Sequence, residues 1–190
     1  MIYYRRILYT IEKFTTDELI KHMIQSVSKT QVESKTWMVD KLKPHLDLFE
    51  NPSICVAAGW FGLSAHLLSK YTDKKVVSFD MDPFCEPIGR KMFSDVKFVT
   101  ADMRDYDISK FDIIVCTSCE HVSDEVLNDF LKRKKTASLV VLQSNNYYNI
   151  TGHVNCKKSI DEFADSININ VIEKHEKPFE TFSRYMVIGS

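Results

Sequence analysis

The stretch Ser53-Ile54-Cys55-Val56-Ala57-Ala58-Gly59-Trp60-Phe61-Gly62-Leu63 decides how the rest of the chain is read. Its first half is a short apolar run containing β-branched residues, the composition of a strand buried on both faces. Its second half spends two of the chain's five glycines within four residues, and a helical segment, Leu63 to Tyr71, follows at once. Glycine lets the backbone turn sharply and approach a ligand closely, so strand, glycine turn and helix in this order point to a nucleotide-type pocket.

Downstream the same alternation continues. Apolar runs at 75–79, 96–100, 111–116 and 137–142 read as strands, and amphipathic segments at 86–93 and 124–132 read as helices between them. Strict alternation of this kind builds βαβ units and a mostly parallel sheet. The last two runs, 168–173 and 184–188, are joined by a polar turn containing Pro178 rather than by a helix, which predicts a closing antiparallel hairpin.

Upstream of Ser53 the pattern is helical. Thr15 and Glu18 form a capping box ahead of Leu19, Ile20, Met23, Ile24 and Val27, and a second helix is predicted from Val32 to Leu42, ending near Pro44. These two helices would form an N-terminal cap over residues 1–50, with one α/β core over 51–190, the whole chain being a single domain. The apolar residues Ile2, Tyr3, Tyr4, Ile7 and Leu8 could add a strand or meet a partner. Between the helices, Lys29, Gln31, Ser34, Lys35 and Trp37 make a mixed polar stretch that could close over a bound ligand.

Composition narrows the function. In 190 residues, 25 basic side chains nearly balance 26 acidic ones, so no overall positive field draws the chain to nucleic acid or anionic lipid. No apolar run approaches the length of a membrane span and no signal-peptide core is present, so a cytoplasmic protein is expected. The five cysteines are an odd number, and most fall in or beside predicted strands, which favours reduced thiols. Cys116, Cys119, His121, His153 and Cys156 offer zinc-type ligands, but Cys116 belongs to a strand and Cys119 to the loop after it, so no metal is assigned. The run Lys132-Arg133-Lys134-Lys135 closes a helix, where cations meet the negative end of the helix dipole.

Two acids complete the pocket. Asp80 ends the second strand about 20 residues after the glycine turn, where a carboxylate can accept ribose hydroxyls, and Met81 and Asp82 follow it. Asp102, with Met103, comes just after the third strand, at the sheet edge where open α/β folds bind ligands, and could accept an adenine amino group.

Glycine turn, Asp80, Asp102 and terminal hairpin, in this order, resemble the class I S-adenosylmethionine-dependent methyltransferases from about Ser53 to the C-terminus. Ala58, Trp60 and Gly62 stand in the approximate places of that family's three glycines. The turn Gly59-Trp60-Phe61-Gly62, with Thr117-Ser118-Cys119-Glu120-His121 and Gln143-Ser144-Asn145-Asn146-Tyr147, is similar to a divergent methyltransferase-like group associated with bacteriophages.

The resemblance implies a Rossmann-like α/β fold: a mostly parallel seven-stranded sheet with a C-terminal antiparallel hairpin. It implies S-adenosylmethionine as cofactor, held by Ala58, Gly59, Trp60, Phe61, Gly62, Asp80, Met81, Asp102, Met103, Thr117 and Ser118. It places the loop after the fourth strand opposite the methyl group, with His121 as a general base, Glu120 orienting it or meeting the cofactor's ammonium, and Asn146 among the carboxamides near the acceptor. His153 and Asn155 are secondary candidates. A small-molecule acceptor is preferred and nucleic acid is not excluded. Alternatives are transfer of an aminocarboxypropyl or aminopropyl group, cleavage of the cofactor, or noncatalytic binding.

Overall fold

Sheet order follows from where each apolar run can be covered. In the computed structural model, which describes residues 4–13, 17–148 and 150–190, seven strands form one sheet. They are β1 (Ile54–Ala57), β2 (Val77–Asp80), β3 (Lys97–Thr100), β4 (Ile113–Cys116), β5 (Leu139–Asn145), β6 (Val171–Pro178) and β7 (Ser183–Gly189). Their spatial order is β3-β2-β1-β4-β5-β7-β6. Strands β1 to β5 are parallel, and β7 pairs antiparallel with both β5 and β6. This is the expected Rossmann-like sheet with its terminal hairpin, and the order reverses between β1 and β4, where such sheets open a crevice at their carboxyl ends.

Both faces of the central strands are apolar and both are covered. Ile54, Val56, Ile113, Val115, Leu139 and Val141 point into one core, shared with helices α1 (Tyr4–Lys13), α2 (Asp17–Ser26), α3 (Lys29–Leu46), α4 (Leu63–Leu68) and α5 (Cys85–Met92). The alternating residues Cys55, Ala57, Ile114, Cys116, Val140 and Leu142 point into the other, under α6 (Asp124–Leu131) and α7 (Ile160–Asp165). Period-2 alternation therefore feeds two cores at once. Edge strand β6 alternates half-buried and exposed residues, as suits a sheet margin.

Several boundaries differ from the sequence reading. The residues from Tyr4 are a helix against α5 and not an added strand: Ile7 is buried in the core and Leu8 faces outward, while Ile2 and Tyr3 lie outside the described residues, as does Thr15 of the capping box. Helix α3 runs through Pro44 to Leu46. Pro44 removes the hydrogen bond to the Asp40 carbonyl, but both residues are exposed, so water can satisfy that carbonyl. Strand β5 extends to Asn145, so Gln143, Ser144 and Asn145 are buried strand residues rather than a surface turn, paired with Met186, Tyr185 and Arg184 of β7. Helix α7 was not anticipated. Its Ser159 hydroxyl accepts from Glu162 N at 3.1 Å.

Among the described residues all five cysteines are free thiols, and no helix is long and apolar enough to cross a membrane.

Candidate functional site

The turn after β1 is the most strained backbone of the site. Ala58 and Trp60 have φ of 47° and 48°, and Gly62 has 92°. Ala58 and Trp60 thus adopt the left-handed region without being glycine, each at a cost of about 1 to 2 kcal/mol. The three positions matched to the family's glycines are the three that carry positive φ. Gly59, between them, needs its missing side chain for another reason, since a Cβ there would lie 2.2 Å from Ser78 Oγ of β2.

Asp80 locks this turn. Its Oδ2 accepts from Trp60 N at 2.9 Å and its Oδ1 from Asp82 N at 3.1 Å. Burial pushes the carboxyl above its ordinary value, and the amide hydrogen bonds from Asp82 and Trp60 oppose this. Gly59 N in turn donates to the Phe79 carbonyl at 3.0 Å, tying the turn to the end of β2.

A cleft of about 210 Å³ opens at the carboxyl ends of β1 to β4. Of the residues singled out from the sequence it brings together Ala58, Asp80, Met81, Asp102, Met103 and His121. Val122, Ser123 and Val126, from the turn into α6, form part of its wall and were not anticipated. The mixture of apolar walls and two carboxylates fits an adenosine: a flat apolar base with a hydroxyl-bearing sugar.

Asp102 is already engaged. Arg104 Nε and Nη2 reach its carboxylate at 3.0 and 2.5 Å, and Arg104 N donates at 2.8 Å. Those hydrogen bonds draw its pKa down to about 2. The Arg104 side chain is largely exposed and lines the cleft, so it is free to turn aside when a ligand competes.

The remaining candidates lie outside the cleft lining. Phe61 is buried in the helical-cap core, and Trp60 stacks on it with ring centroids 5.3 Å apart, facing His22. Gly62 packs against Phe98, to which a Cβ would come within 2.4 Å. Asn146 Oδ1 accepts from Ser183 N at 2.7 Å, holding the ends of β5 and β7 together. Asn155 Nδ2 donates to the Val122 carbonyl and to Asp124.

Behind the cleft lies a buried polar cluster. Glu120 Oε1 accepts from Asn145 Nδ2 and Arg184 Nη1, each at 2.7 Å. Lys35 Nζ, from α3, donates to the Thr117 carbonyl at 3.0 Å and to Gln143 Oε1 at 3.3 Å, while Ser34 Oγ approaches the same Gln143 oxygen. Thr117 Oγ1 meets Ser64 Oγ at 3.3 Å, and Ser118 accepts from His121 N through its carbonyl. Burial pushes the Glu120 carboxyl up, but Arg184 and Lys35 outweigh it and hold it below the ordinary value. Burial and then Arg184 bring the Lys35 amine down to about 7.

His121 sits on the rim, exposed. Its Nδ1 bonds the Gly152 carbonyl at 2.8 Å. A carbonyl only accepts, so Nδ1 donates, and in the neutral ring the lone pair is on Nε2. Gly152, not Glu120, therefore orients the ring. Arg184 was missed, although one cation in the otherwise uncharged strand Ser183–Gly189 was a visible signal.

No protein-family model matches the chain, and no curated protein does. Solved structures do resemble it. An S-adenosylmethionine-dependent methyltransferase from Clostridium acetobutylicum ATCC 824 superposes with a TM-score of 0.66 at 11% identity, covering 90% of this chain and 97% of that one. The N-methyltransferase NodS from Bradyrhizobium japonicum WM9 gives 0.65 at 14% identity, covering 86% and 97%. Magnesium protoporphyrin IX methyltransferase (ChlM) from Synechocystis PCC 6803, with bound SAH, gives 0.63 at 11% identity, covering 97% and 92%. At such identities the likeness establishes the fold: this chain has the Rossmann-like fold of those methyltransferases.

Proposed function

We propose that this chain binds S-adenosylmethionine in the cleft between Ala58, Asp80 and Asp102 and transfers its methyl group to a small-molecule acceptor. One observation carries the reading: in a fold shared with methyltransferases, a strained turn and two strand-end acids line one cleft at the carboxyl edge. Asp80 would take the ribose hydroxyls on lone pairs not used by the Trp60 and Asp82 amides. Asp102 would exchange Arg104 for the adenine amino group, with Met81 and Met103 flanking the base. The cofactor supplies an already activated methyl group on a sulfonium, so the chain's own contribution is alignment.

His121 faces the acceptor from the rim, and its free Nε2 can take a proton from an amine or hydroxyl. Glu120, Thr117, Ser118 and Asn146 act behind it, holding the loop after β4 and the ends of β5 and β7. The Ser34–Lys35 segment of α3 closes this region from the cap side.

Calorimetry with S-adenosylmethionine and S-adenosylhomocysteine tests binding. Both should bind the parent, and Asp80→Ala should weaken both by about tenfold or more. Equal affinity in the variant would remove Asp80 from the ribose. Product analysis tests the bond broken: S-adenosylhomocysteine is expected, and methylthioadenosine as the only product would overturn methyl transfer.

A further inference from the structure

Three ligand-type side chains meet beside the cleft, at His121 on its rim, in a way that cofactor binding does not require. Glu120, His121 and His153 each bring one oxygen or nitrogen to within 4.8 Å of the other two. The two imidazoles cross at 84° with centroids 4.7 Å apart. An ion held at about 2.1 Å by each would space its ligands by roughly 3 to 4.2 Å, so only small side-chain rotations separate this cluster from a coordination shell.

The outer partners are those that a metal site needs. His121 Nδ1 is on the Gly152 carbonyl at 2.8 Å, and His153 Nδ1 is on the Tyr147 carbonyl at 2.7 Å. Both Nδ1 atoms therefore donate, and in the neutral rings both Nε2 atoms offer the lone pair, the arrangement in which backbone partners orient metal-binding histidines. Glu120 is 4% exposed, and its Oε1 is anchored by Asn145 and Arg184. Its Oε2 is buried with no hydrogen-bond partner. A buried carboxylate oxygen without a partner is costly, and a cation would satisfy it. The segments are also tied together, because the Glu120 carbonyl accepts from Val154 N and Asn155 N at 2.9 and 3.0 Å.

We propose that Glu120, His121 and His153 form a binding site for one divalent transition-metal ion, with coordination positions left open toward the cleft. Two imidazole nitrogens and one carboxylate select an ion of the Mn²⁺, Co²⁺ or Zn²⁺ type over the oxygen-seeking Mg²⁺ and Ca²⁺. Cys116 and Cys119, part of the zinc set weighed from the sequence, are buried in the core under α6 and take no part. The site's chemical role rests on the transferase reading, whereas its occupancy does not. An acceptor hydroxyl on the ion would lose its proton more readily and pass it to solvent at the exposed rim, so that with the ion bound the His121 Nε2 lone pair serves as a ligand in place of the base role it has without one.

The test is a titration of the chelator-treated full-length chain with Co²⁺, followed by visible absorption. One equivalent should bind with a saturable ligand-field band. His153→Ala and His121→Ala, both at positions that are not buried, should keep the parent's circular dichroism and bind Co²⁺ about 100-fold more weakly or worse. Absence of a stoichiometric band in the parent, or equal Co²⁺ affinity in a folded His153→Ala, overturns the site. Calorimetry with S-adenosylmethionine on the parent and His153→Ala, whose residue does not line the cleft, keeps the two readings apart: lost Co²⁺ binding with cofactor affinity retained assigns the defect to the ion site.

Discussion

At the carboxyl edge of the sheet, the turn around Asp80 and the cluster around Glu120 hold carboxylates in place by different means. Asp80 is held by two backbone amides, Trp60 N from the turn after β1 and Asp82 N from its own loop, and carries no ion pair among the described residues. Glu120 is held by side chains from far along the chain, Asn145 and Arg184, with Lys35 adding its charge from α3. A backbone amide survives every side-chain substitution except proline, whereas a distant charge is lost with its side chain. The first region should therefore depend on its backbone geometry, while the second should fail as a unit.

The largest effect tests that unit directly. Arg184→Met leaves Glu120 buried opposite an apolar group, and losing one partner of a buried pair typically costs about 3 to 5 kcal/mol. Urea denaturation should show this loss, with much of it recovered when Glu120→Gln is combined with it. A cost below about 1 kcal/mol would mean that Glu120 has a substitute partner, and the contrast with Asp80 would collapse.

Next comes packing beneath the turn. Gly62 and Gly89 flank the ring of Phe98, with Cβ atoms at 2.4 and 2.3 Å if either were alanine. The ring has nowhere to retreat, and Gly62 also has positive φ. Gly62→Ala should cost about 2 to 3 kcal/mol by the same measurement, and combining it with Phe98→Leu should restore part of it. Additive losses would exclude the ring as the obstacle.

These same residues explain what was legible in the sequence. The glycine turn, the acid at the end of β2 and the alternation of strands and helices are local patterns, so fold, sheet and hairpin could be read from them. The Lys35–Gln143 and Glu120–Arg184 contacts join residues 108 and 64 positions apart, and no local pattern encodes such pairs. Gln143 to Asn145 looked like a surface turn because they are polar. They are strand because β7 supplies their backbone partners and distant groups supply their side-chain partners. Helix α7 was legible in principle, since Ser159 followed by Glu162 has the spacing of a capping box. Phe61 shows the opposite failure. Its place beside the glycines suggested a ligand wall, yet the cap helices enclose it in core.

The pH dependence of stability isolates Lys35. Its folded pKa is near 7, against an ordinary value of 10.5 in the unfolded chain. Between these values the unfolded state binds more protons, so stability should rise with pH. Above about pH 8 the buried thiols of Cys55, Cys85 and Cys119, whose pKa values burial raises, begin to act in the opposite sense, which leaves pH 7 to 8 as the clean window. Over it the parent should gain about 1 kcal/mol, and Lys35→Met should gain almost nothing. A parallel rise in both would assign the slope to another group.

The smallest expected effect lies in the turn itself. Ala58 has φ of 47°, so Ala58→Gly relieves about 1 kcal/mol of left-handed strain. Glycine also frees the unfolded chain, which costs about 0.5 to 1 kcal/mol. The two terms nearly cancel, and the variant's denaturation midpoint should move little. Ala58→Val enlarges the strain, because a β-branched residue is a poorer occupant of that region than alanine, and this outweighs the smaller freedom of its unfolded chain. It should be less stable than Ala58→Gly by about 2 kcal/mol. If valine were as well tolerated as glycine, the positive φ would not be imposed by the Asp80 lock on Trp60 N and Asp82 N, and the turn could relax to ordinary backbone. Cofactor affinity should then also be indifferent to residue 58, which calorimetry on the same two variants measures independently of their stability.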